Sequence, residues 1–200
     1  GNTWKKYPNG FNGFRCLVVD PENSGILYGG DGSLGVFKSV DMGVSWDAIN
    51  EGIRANIIRD STIHPNNPEG LLSSTQAGTF KRGEDGGWKQ ISHETAYCVA
   101  YDPDDSNTIY AGQDWSLAKT RDDGTTWRKT DIAPSSELHK ASSIVTDPQN
   151  SNAVYVGVYY DSGNRGEIYR SLDGGQTLNL LKVFDRPVNV VKIDPSDSRV

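Results

Sequence analysis

The sequence is poor in cysteine, in positive charge and in long apolar runs, and each shortage excludes a class of protein. Its 200 residues include two cysteines, too few for the disulfide framework of a small secreted domain. Lys and Arg number 20 against 26 Asp and Glu, so the net charge is −6 and the basic surface of a non-specific nucleic-acid-binding protein is missing. No apolar run approaches the roughly 18 residues of a membrane-spanning helix, and the N-terminus shows no signal peptide. We therefore predict no nucleic-acid partner and no membrane insertion.

The apolar content is sufficient for a folded core. Apolar residues make up 35% of the chain and there are 22 glycines, which is near the average of globular domains. The apolar residues form short runs separated by Gly, Pro, Asn and Asp, without a helical period of useful length. This pattern predicts an all-β fold.

Internal repeats organise the whole chain. A two-residue Asp-Pro or His-Pro step recurs at intervals of 44, 38, 45 and 47 residues, and a short apolar run precedes each step. A polar turn and, in the first four copies, a second apolar run follow it. The five steps are Asp20-Pro21, His64-Pro65, Asp102-Pro103, Asp147-Pro148 and Asp194-Pro195.

A second signature closes each unit, with the pattern Ser/Thr-x-Asp-x-Gly-x-Ser/Thr-Trp. It spans residues 39–46, 120–127 and 171–178, and a shorter, degenerate copy spans 82–88. Gly supplies the positive φ of a tight turn, and the Asp carboxylate can accept hydrogen bonds from the backbone N–H groups of that turn. We expect a structural role for these positions because they recur in every unit: Asp41, Gly43, Trp46, Asp122, Gly124, Trp127, Asp173 and Gly175.

This signature resembles the Asp-box, or BNR, motif. The Asp-Pro step followed by a Tyr-Ala-Gly strand is most similar to the xyloglucanase-type glycoside hydrolases, the sortilin-type receptors and the photosystem assembly factors. The resemblance covers essentially the whole chain. It implies a β-propeller built from four-stranded antiparallel blades, with strands A to D in chain order. We expect one domain over 1–200, with repeats at about 4–46, 46–88, 88–127 and 127–178 and a partial repeat at 178–200.

The predicted register leaves the propeller incomplete. The sequence opens on a strand D, Trp4 to Tyr7, and closes on a strand A, Val188 to Ile193. A blade without its B and C strands would expose an edge that proteins normally cover. We expect a homo-oligomer, or a further propeller segment, to complete the ring. Cys16 and Cys98 fall at equivalent strand-A positions of non-adjacent units, which favours two buried thiols over a disulfide.

The resemblance also implies where a ligand binds. Propellers of this kind bind ligands on the face formed by the D–A and B–C loops, called the loop face below. The B–C loops carry acidic residues beside aromatic residues, and this composition suits a glycan because aromatic faces stack on sugar rings while carboxylates accept hydroxyl protons. Packing against a neighbouring loop is the alternative role. The predicted ligand-binding residues are Asp114, Trp115, Tyr159, Tyr160, Asp161, Arg15 and Arg54.

One position matches a catalytic residue of the xyloglucanase-type enzymes. In them an Asp lies in the first B–C loop, after a Gly-rich D–A loop, and Asp31 has that place here, in Gly29-Gly30-Asp31-Gly32. Glycoside hydrolysis needs a second carboxylate across the sugar, and in that family a second propeller supplies it. An ordinary turn is the alternative role for Asp31. Sialidases also carry this motif, and they bind the carboxylate of their substrate with three arginines. The spacing of the arginines in this sequence does not support such a set.

Two functions follow as hypotheses. The first is a binding module or scaffold that recognises a glycan or a protein on the loop face. The second is a glycoside hydrolase, or a fragment of one, with Asp31 as its catalytic acid. No motif for a cofactor or a metal is present, so we predict neither. The acidic composition and the resemblance weakly favour an extracytoplasmic location.

Overall fold

The structure of this chain is a computed structural model that describes residues 13–54, 57–132 and 137–196. These residues form sixteen β-strands and no helix. The strands are β1 (Phe14–Val19), β2 (Leu27–Asp31), β3 (Gly35–Ser39), β4 (Asp47–Ala48), β5 (Ile58–His64), β6 (Asn67–Thr75), β7 (Gly78–Arg82), β8 (Trp88–Ser92), β9 (Cys98–Tyr101), β10 (Ile109–Gly112), β11 (Ser116–Thr120), β12 (Arg128–Asp131), β13 (His139–Asp147), β14 (Asn150–Tyr160), β15 (Gly166–Ser171) and β16 (Asn179–Phe184).

The strands form four separate sheets, each an antiparallel meander of four consecutive strands. The first strands of successive sheets, β1, β5, β9 and β13, lie side by side. Apolar side chains fill the space between adjacent sheets, as where Tyr110 and Leu117 of the third sheet meet Val154 and Val156 of the fourth. Sheets that pack face to face around their first strands are the blades of a propeller. The predicted all-β propeller is therefore confirmed, as a partial ring.

The Asp-Pro and His-Pro steps make the same hydrogen bond in all five copies, from the backbone N–H two residues on to the Asp or His side chain. Asp20 Oδ1 accepts the backbone N–H groups of Glu22 and Asn23, at 2.9 and 3.0 Å. His64 stands where the other copies have Asp, and its Nδ1 accepts the N–H of Asn66 at 3.1 Å. The equivalent turn forms at Asp194, whose Oδ1 accepts the N–H of Ser196 at 2.8 Å. The chain therefore enters a fifth repeat.

Two strand predictions need correction. No ladder forms over residues 188–193, although that segment lies along β13, where the hydroxyl of Ser143 accepts the N–H of Val191 at 3.1 Å. An inner strand pairs with the second strand of its own blade, and no described residue supplies one there. In the second and fourth blades, β6 and β14 begin at Asn67 and Asn150, within the segments predicted as polar turns, because two-residue turns let the ladder continue. The predicted strand at Trp4 to Tyr7 lies outside the described residues, and the repeat boundaries stay a prediction.

Both sides of the incomplete ring expose apolar side chains. On β1, Leu17 and Val19 are 57% and 48% exposed, and on β16 the exposed residues include Leu180 and Val183 at 50% and 45%.

Cys16 and Cys98 are free thiols. Within the described ranges the structure contains no helix that is long and apolar enough to cross a membrane.

Candidate ligand-binding site

Trp115 is held in a strained conformation at the tip of the short connection between β10 and β11. Its φ is 65°, which is uncommon for a bulky side chain. Its N–H donates to the carbonyl of His139 at 3.2 Å and its carbonyl accepts the N–H of Ile132 at 2.9 Å. The indole is 36% exposed and meets the His139 ring edge-on, with 4.9 Å between centroids. The neighbouring blade therefore fixes an aromatic face that remains open to solvent.

Asp114 connects the third and fourth blades beside this tryptophan. It forms an isolated β-bridge with Lys140, and its carboxylate accepts a hydrogen bond from the hydroxyl of Tyr97. Burial, the negative charge of Asp114 and this hydrogen bond together raise the pKa of Tyr97. Asp114 Oδ1 is buried without a hydrogen-bond partner. An unpartnered buried oxygen is costly, and a donor from a ligand could satisfy it.

Lys140 joins the aromatic residues and the acids of the site. Its Nζ binds both carboxylate oxygens of Asp161, at 2.6 and 2.8 Å. The same nitrogen lies 5.8 Å from the ring centroid of Tyr97 and 5.7 Å from that of Tyr159. The hydrogen bond to Asp161 raises the pKa of Lys140, so this side chain is positively charged at neutral pH. The structure thus brings together four of the predicted residues: Asp114, Trp115, Tyr159 and Asp161.

Tyr160 lies behind this surface and not on it. It is 1% exposed, and its hydroxyl donates to Glu167 Oε2 at 2.6 Å. The hydroxyl of Tyr169 donates to the same oxygen at 2.7 Å, and Arg165 binds the other oxygen of Glu167. Tyr160 also packs on His139, with ring centroids 5.4 Å apart. Tyr160 therefore supports His139, which accepts the N–H of Trp115 and contacts its indole.

Asp31 is fully buried and caps the turn between β2 and β3. Its Oδ1 accepts the N–H groups of Ser33 and Leu34, at 2.8 and 3.0 Å, and the hydroxyl of Ser33 at 3.1 Å. Its Oδ2 is buried without a partner. This geometry is that of an Asx turn, and the catalytic role of Asp31 stays a prediction.

The two predicted arginines lie apart from the aromatic surface. Arg15 belongs to β1 and lines the space enclosed by the inner strands. Arg54 is exposed in the connection between β4 and β5. A ligand-binding role for either remains untested.

The recurring aspartates bind their own turns on the opposite face. In the second full copy, Asp122 Oδ1 accepts the N–H of Thr126 at 2.8 Å and Oδ2 accepts its hydroxyl at 2.6 Å. These hydrogen bonds, the one to the Thr126 hydroxyl first, lower the pKa of Asp122 to about 2. Asp41 and Asp173 make the matching contacts. The central glycines Gly43, Gly124 and Gly175 have φ values of 85°, 86° and 83°.

The tryptophans of these turns connect neighbouring blades. The indole N–H of Trp88 donates to the carbonyl of Ile49 at 2.6 Å, and that of Trp127 donates to the carbonyl of Ile91 at 2.9 Å. Both carbonyls belong to the preceding blade. Trp46 of the first turn packs on Phe14, with ring centroids 4.7 Å apart.

Sequence reasoning missed several members of the site. Tyr97 and Lys140 belong to the site, although neither is among the predicted ligand-binding residues. For Tyr97 the available signal is its place five residues before Asp102, because residues at one offset from the following step lie at one level of the propeller. No three His, Cys, Asp or Glu side chains within 13–54, 57–132 and 137–196 lie close enough together to bind a metal.

The comparisons with known proteins identify the fold. No family model matches the sequence, and no curated protein matches it either. Among solved structures, a GH74 xyloglucanase from Xanthomonas campestris is similar, with a TM-score of 0.72, 20% identity and coverage of 94% of this chain and 34% of that chain. The extracellular domain of a hybrid two-component system from B. thetaiotaomicron has a TM-score of 0.70 at 13% identity, with 95% and 26% coverage. YCF48 bound to D1 peptide has a TM-score of 0.60 at 15% identity, with 90% and 57% coverage.

These structures place the chain among β-propellers. At such identities the likeness extends to the fold alone. The chain spans 34% of the xyloglucanase and 26% of the extracellular domain, so it corresponds to part of each.

Proposed function

We propose that this chain is an Asp-box propeller module that binds a glycan on its loop face. The observation that carries the proposal is Trp115, whose backbone is strained and bonded on both sides while its indole remains 36% exposed. Strain of this kind persists where the surrounding structure over-determines it and often marks a binding site. A packing role alone would favour a buried indole.

The polar residues around Trp115 fit a sugar. The paired Lys140 and Asp161 offer donors and acceptors in a fixed arrangement, and Asp114 Oδ1 has an unused acceptor position. Sugar hydroxyls both donate and accept, so they can satisfy such groups, while the indole covers the apolar face of the pyranose. Few polar groups beside an aromatic surface are typical of small-ligand sites.

A protein ligand on the same face is the alternative partner. The similar YCF48 structure holds a peptide, and Trp and Tyr are frequent anchors of protein interfaces. A peptide would also use Trp115. If the natural ligand is a glycan, a free oligosaccharide should bind. If it is a protein, a free oligosaccharide should not bind.

Calorimetric titration with neutral β-glucan and xyloglucan oligosaccharides tests the glycan. We expect saturable binding that Trp115→Ala weakens tenfold or more, a loss of at least about 1.4 kcal/mol. Leu172→Ala is the matched control, because Leu172 is 59% exposed in a recurring turn of the opposite face. Equal affinities of Trp115→Ala and wild type would overturn the proposal.

Glycoside hydrolysis is the second candidate function. Asp31 Oδ2 is a buried carboxylate oxygen without a partner, and one similar fold belongs to a xyloglucanase. Release of reducing sugar from xyloglucan by the wild type, abolished in Asp31→Asn, would support it. Because Asn keeps the side-chain oxygen that caps the turn, folding should be preserved. Binding without turnover would assign the chain to the module instead.

The remaining proposals concern the environment of the module. We propose an extracytoplasmic location, supported by the similar extracellular domain.

We also propose that a second copy, or a further propeller segment, covers the exposed apolar residues of β1 and β16. Light scattering after size exclusion distinguishes a monomer near 21.9 kDa from a homo-oligomer.

A further inference from the structure

The inner strands enclose a cavity of about 430 Å³ along the propeller axis. Strands β1, β5, β9 and β13 form most of its wall, and residues 189–192 complete it. Its outline therefore includes all five repeats. Of the residues described around Trp115, Tyr97 lines the cavity and Asp114, Trp115 and Lys140 do not, so the cavity adjoins that aromatic surface without coinciding with it.

One level of this cavity carries a distinctive set of side chains. The residue five positions before each Asp-Pro or His-Pro step lines the wall in every repeat. Inner strands run from the loop face toward those steps, so this level is the mouth of the cavity on the loop face. We call the set the mouth residues: Arg15, Arg59, Tyr97, Ser142 and Asn189.

The mouth residues are hydrogen-bond donors, two of them are cationic, and none is acidic. Arg15 and Arg59 are the second residues of the neighbouring strands β1 and β5. The guanidinium carbon of Arg59 lies 4.5 Å from the ring centroid of Tyr97, which fixes its plane. Its Nε is buried without a hydrogen-bond partner. A desolvated donor without a partner is unfavourable, and an acceptor entering the mouth would satisfy it.

The carboxylates nearby already have donors. Asp60 accepts the N–H of Ser61 at 2.9 Å and that of Val99 at 3.1 Å, and the charge of Lys192 acts on it as well. Asp114 binds Tyr97, and Asp161 binds Lys140. None of the ion pairs found among the described residues involves Arg15 or Arg59. Two arginines thus line one cavity, and neither has a carboxylate partner among the described residues.

We propose that the mouth of the cavity binds the oxyanion group of a small ligand, a carboxylate or a phosphate, through Arg15 and Arg59. The guanidinium fork matches both groups, with two parallel N–H···O hydrogen bonds. Asp60 is the one carboxylate among the residues that line the cavity, against Arg15, Arg59 and Lys192, and a concave site with an excess of one charge concentrates that field. The mouth adjoins the glycan surface through Tyr97, which binds Asp114. Because neither Arg15 nor Arg59 contacts Trp115, failure of this proposal would leave the glycan proposal standing.

Titration calorimetry at constant ionic strength tests the site, with inorganic phosphate in one arm and glucuronate in the other. Glucose is the matched neutral ligand for glucuronate. We expect saturable binding of at least one anion and none of glucose. The arm that binds more tightly identifies which oxyanion the mouth prefers. Absence of binding by both anions at millimolar concentration overturns the proposal.

Variants then assign the site to the two arginines. Arg15→Gln and Arg59→Gln should each weaken binding of the preferred anion tenfold or more. Arg128→Gln replaces an exposed arginine of β12 outside the cavity and should leave that affinity unchanged. Arg59→Lys keeps the charge but loses the fork, so its affinity should fall between those of wild type and Arg59→Gln. Arg15 is exposed, so Arg15→Gln should fold even if Arg59→Gln does not. An equal loss in Arg128→Gln would refute the assignment.

Discussion

Glu167 is the buried acid whose removal should destabilise the chain most clearly. It is 1% exposed, and one of its oxygens accepts the hydroxyls of Tyr160 and Tyr169, at 2.6 and 2.7 Å. Both tyrosines are nearly inaccessible, at 1% and 5% exposed. The substitution Glu167→Ala therefore leaves two buried hydroxyl groups without an acceptor.

The expected loss follows from those two orphaned donors. Leaving one buried polar group unsatisfied costs about 1–3 kcal/mol, so two cost about 2–6 kcal/mol. This is a large fraction of the roughly 5–15 kcal/mol that stabilises a typical domain. If the two tyrosine hydroxyls and the Glu167 carboxylate are all replaced by apolar groups of similar shape, the loss of stability should be far smaller. The triple variant Glu167→Leu, Tyr160→Phe, Tyr169→Phe should thus be more stable than Glu167→Ala.

Urea unfolding followed by circular dichroism measures both free energies. Tyr169→Phe alone is the control, and it should cost about 1 kcal/mol, the net value of one hydrogen bond. A loss below about 1 kcal/mol in Glu167→Ala would refute the reasoning. So would a triple variant no more stable than Glu167→Ala, because the orphaned hydroxyls could not then be the cause.

The same network predicts a pH dependence. Burial raises the pKa of Glu167, but the hydrogen bonds from the two tyrosines and the charge of Arg165 outweigh it, so the net pKa lies below the ordinary 4.5. A depressed pKa stabilises the fold above the ordinary value, and this contribution is lost as the pH falls through the folded value. Wild type should therefore lose stability below pH 4.5 more steeply than the triple variant, measured by urea midpoints across the acid range.

Two further predictions concern the packing of the blades and the recurring turns. A Cβ at Gly112 would lie 2.4 Å from Cys98 Sγ and 2.6 Å from the Cβ of Ala141, so Gly112→Ala should cost about 1–3 kcal/mol by overpacking; an unchanged thermal midpoint would contradict this. The carboxyl of Asp122 should titrate near pH 2 by NMR, and Thr126→Val should raise that pKa toward the ordinary 3.8. A titration midpoint already at the ordinary value in the wild type would show that the Thr126 hydrogen bonds do not form.

The blade architecture could be predicted because its determinants are local and repeated. The Asp-Pro step and the Asp-Gly turn specify their own hydrogen bonds within a few residues, as Asp20 and Asp122 show. Strand ends were less predictable, because a ladder continues for as long as a partner strand lies beside it. For this reason β14 begins at Asn150, and residues 188–193 form no strand despite their apolar sequence.

The candidate site was predictable only in part, because it is assembled between blades. Asp114 and Trp115 could be found from their loop, and Tyr159 and Asp161 from theirs. Their connection through Lys140 depends on which loops of adjacent blades meet, and no local pattern encodes that. Tyr160 lies buried beneath its neighbours, because alternate residues of a strand point to opposite faces, and its ligand-binding role stays a prediction.

In this chain, positions that keep the same geometry in every blade are structural, and equivalent positions whose residues differ between blades are the candidates for function. The turn residues repeat from blade to blade, and where His64 replaces Asp its ring makes the same hydrogen bond, so the geometry and not the residue type is retained. Five positions earlier, Arg, Arg, Tyr, Ser and Asn occupy one level of the propeller. A packing role would favour similar side chains at equivalent positions, because each inner strand has the same neighbours. Different polar groups facing one shared cavity instead resemble the wall of a binding site, where each position contacts a different part of a ligand.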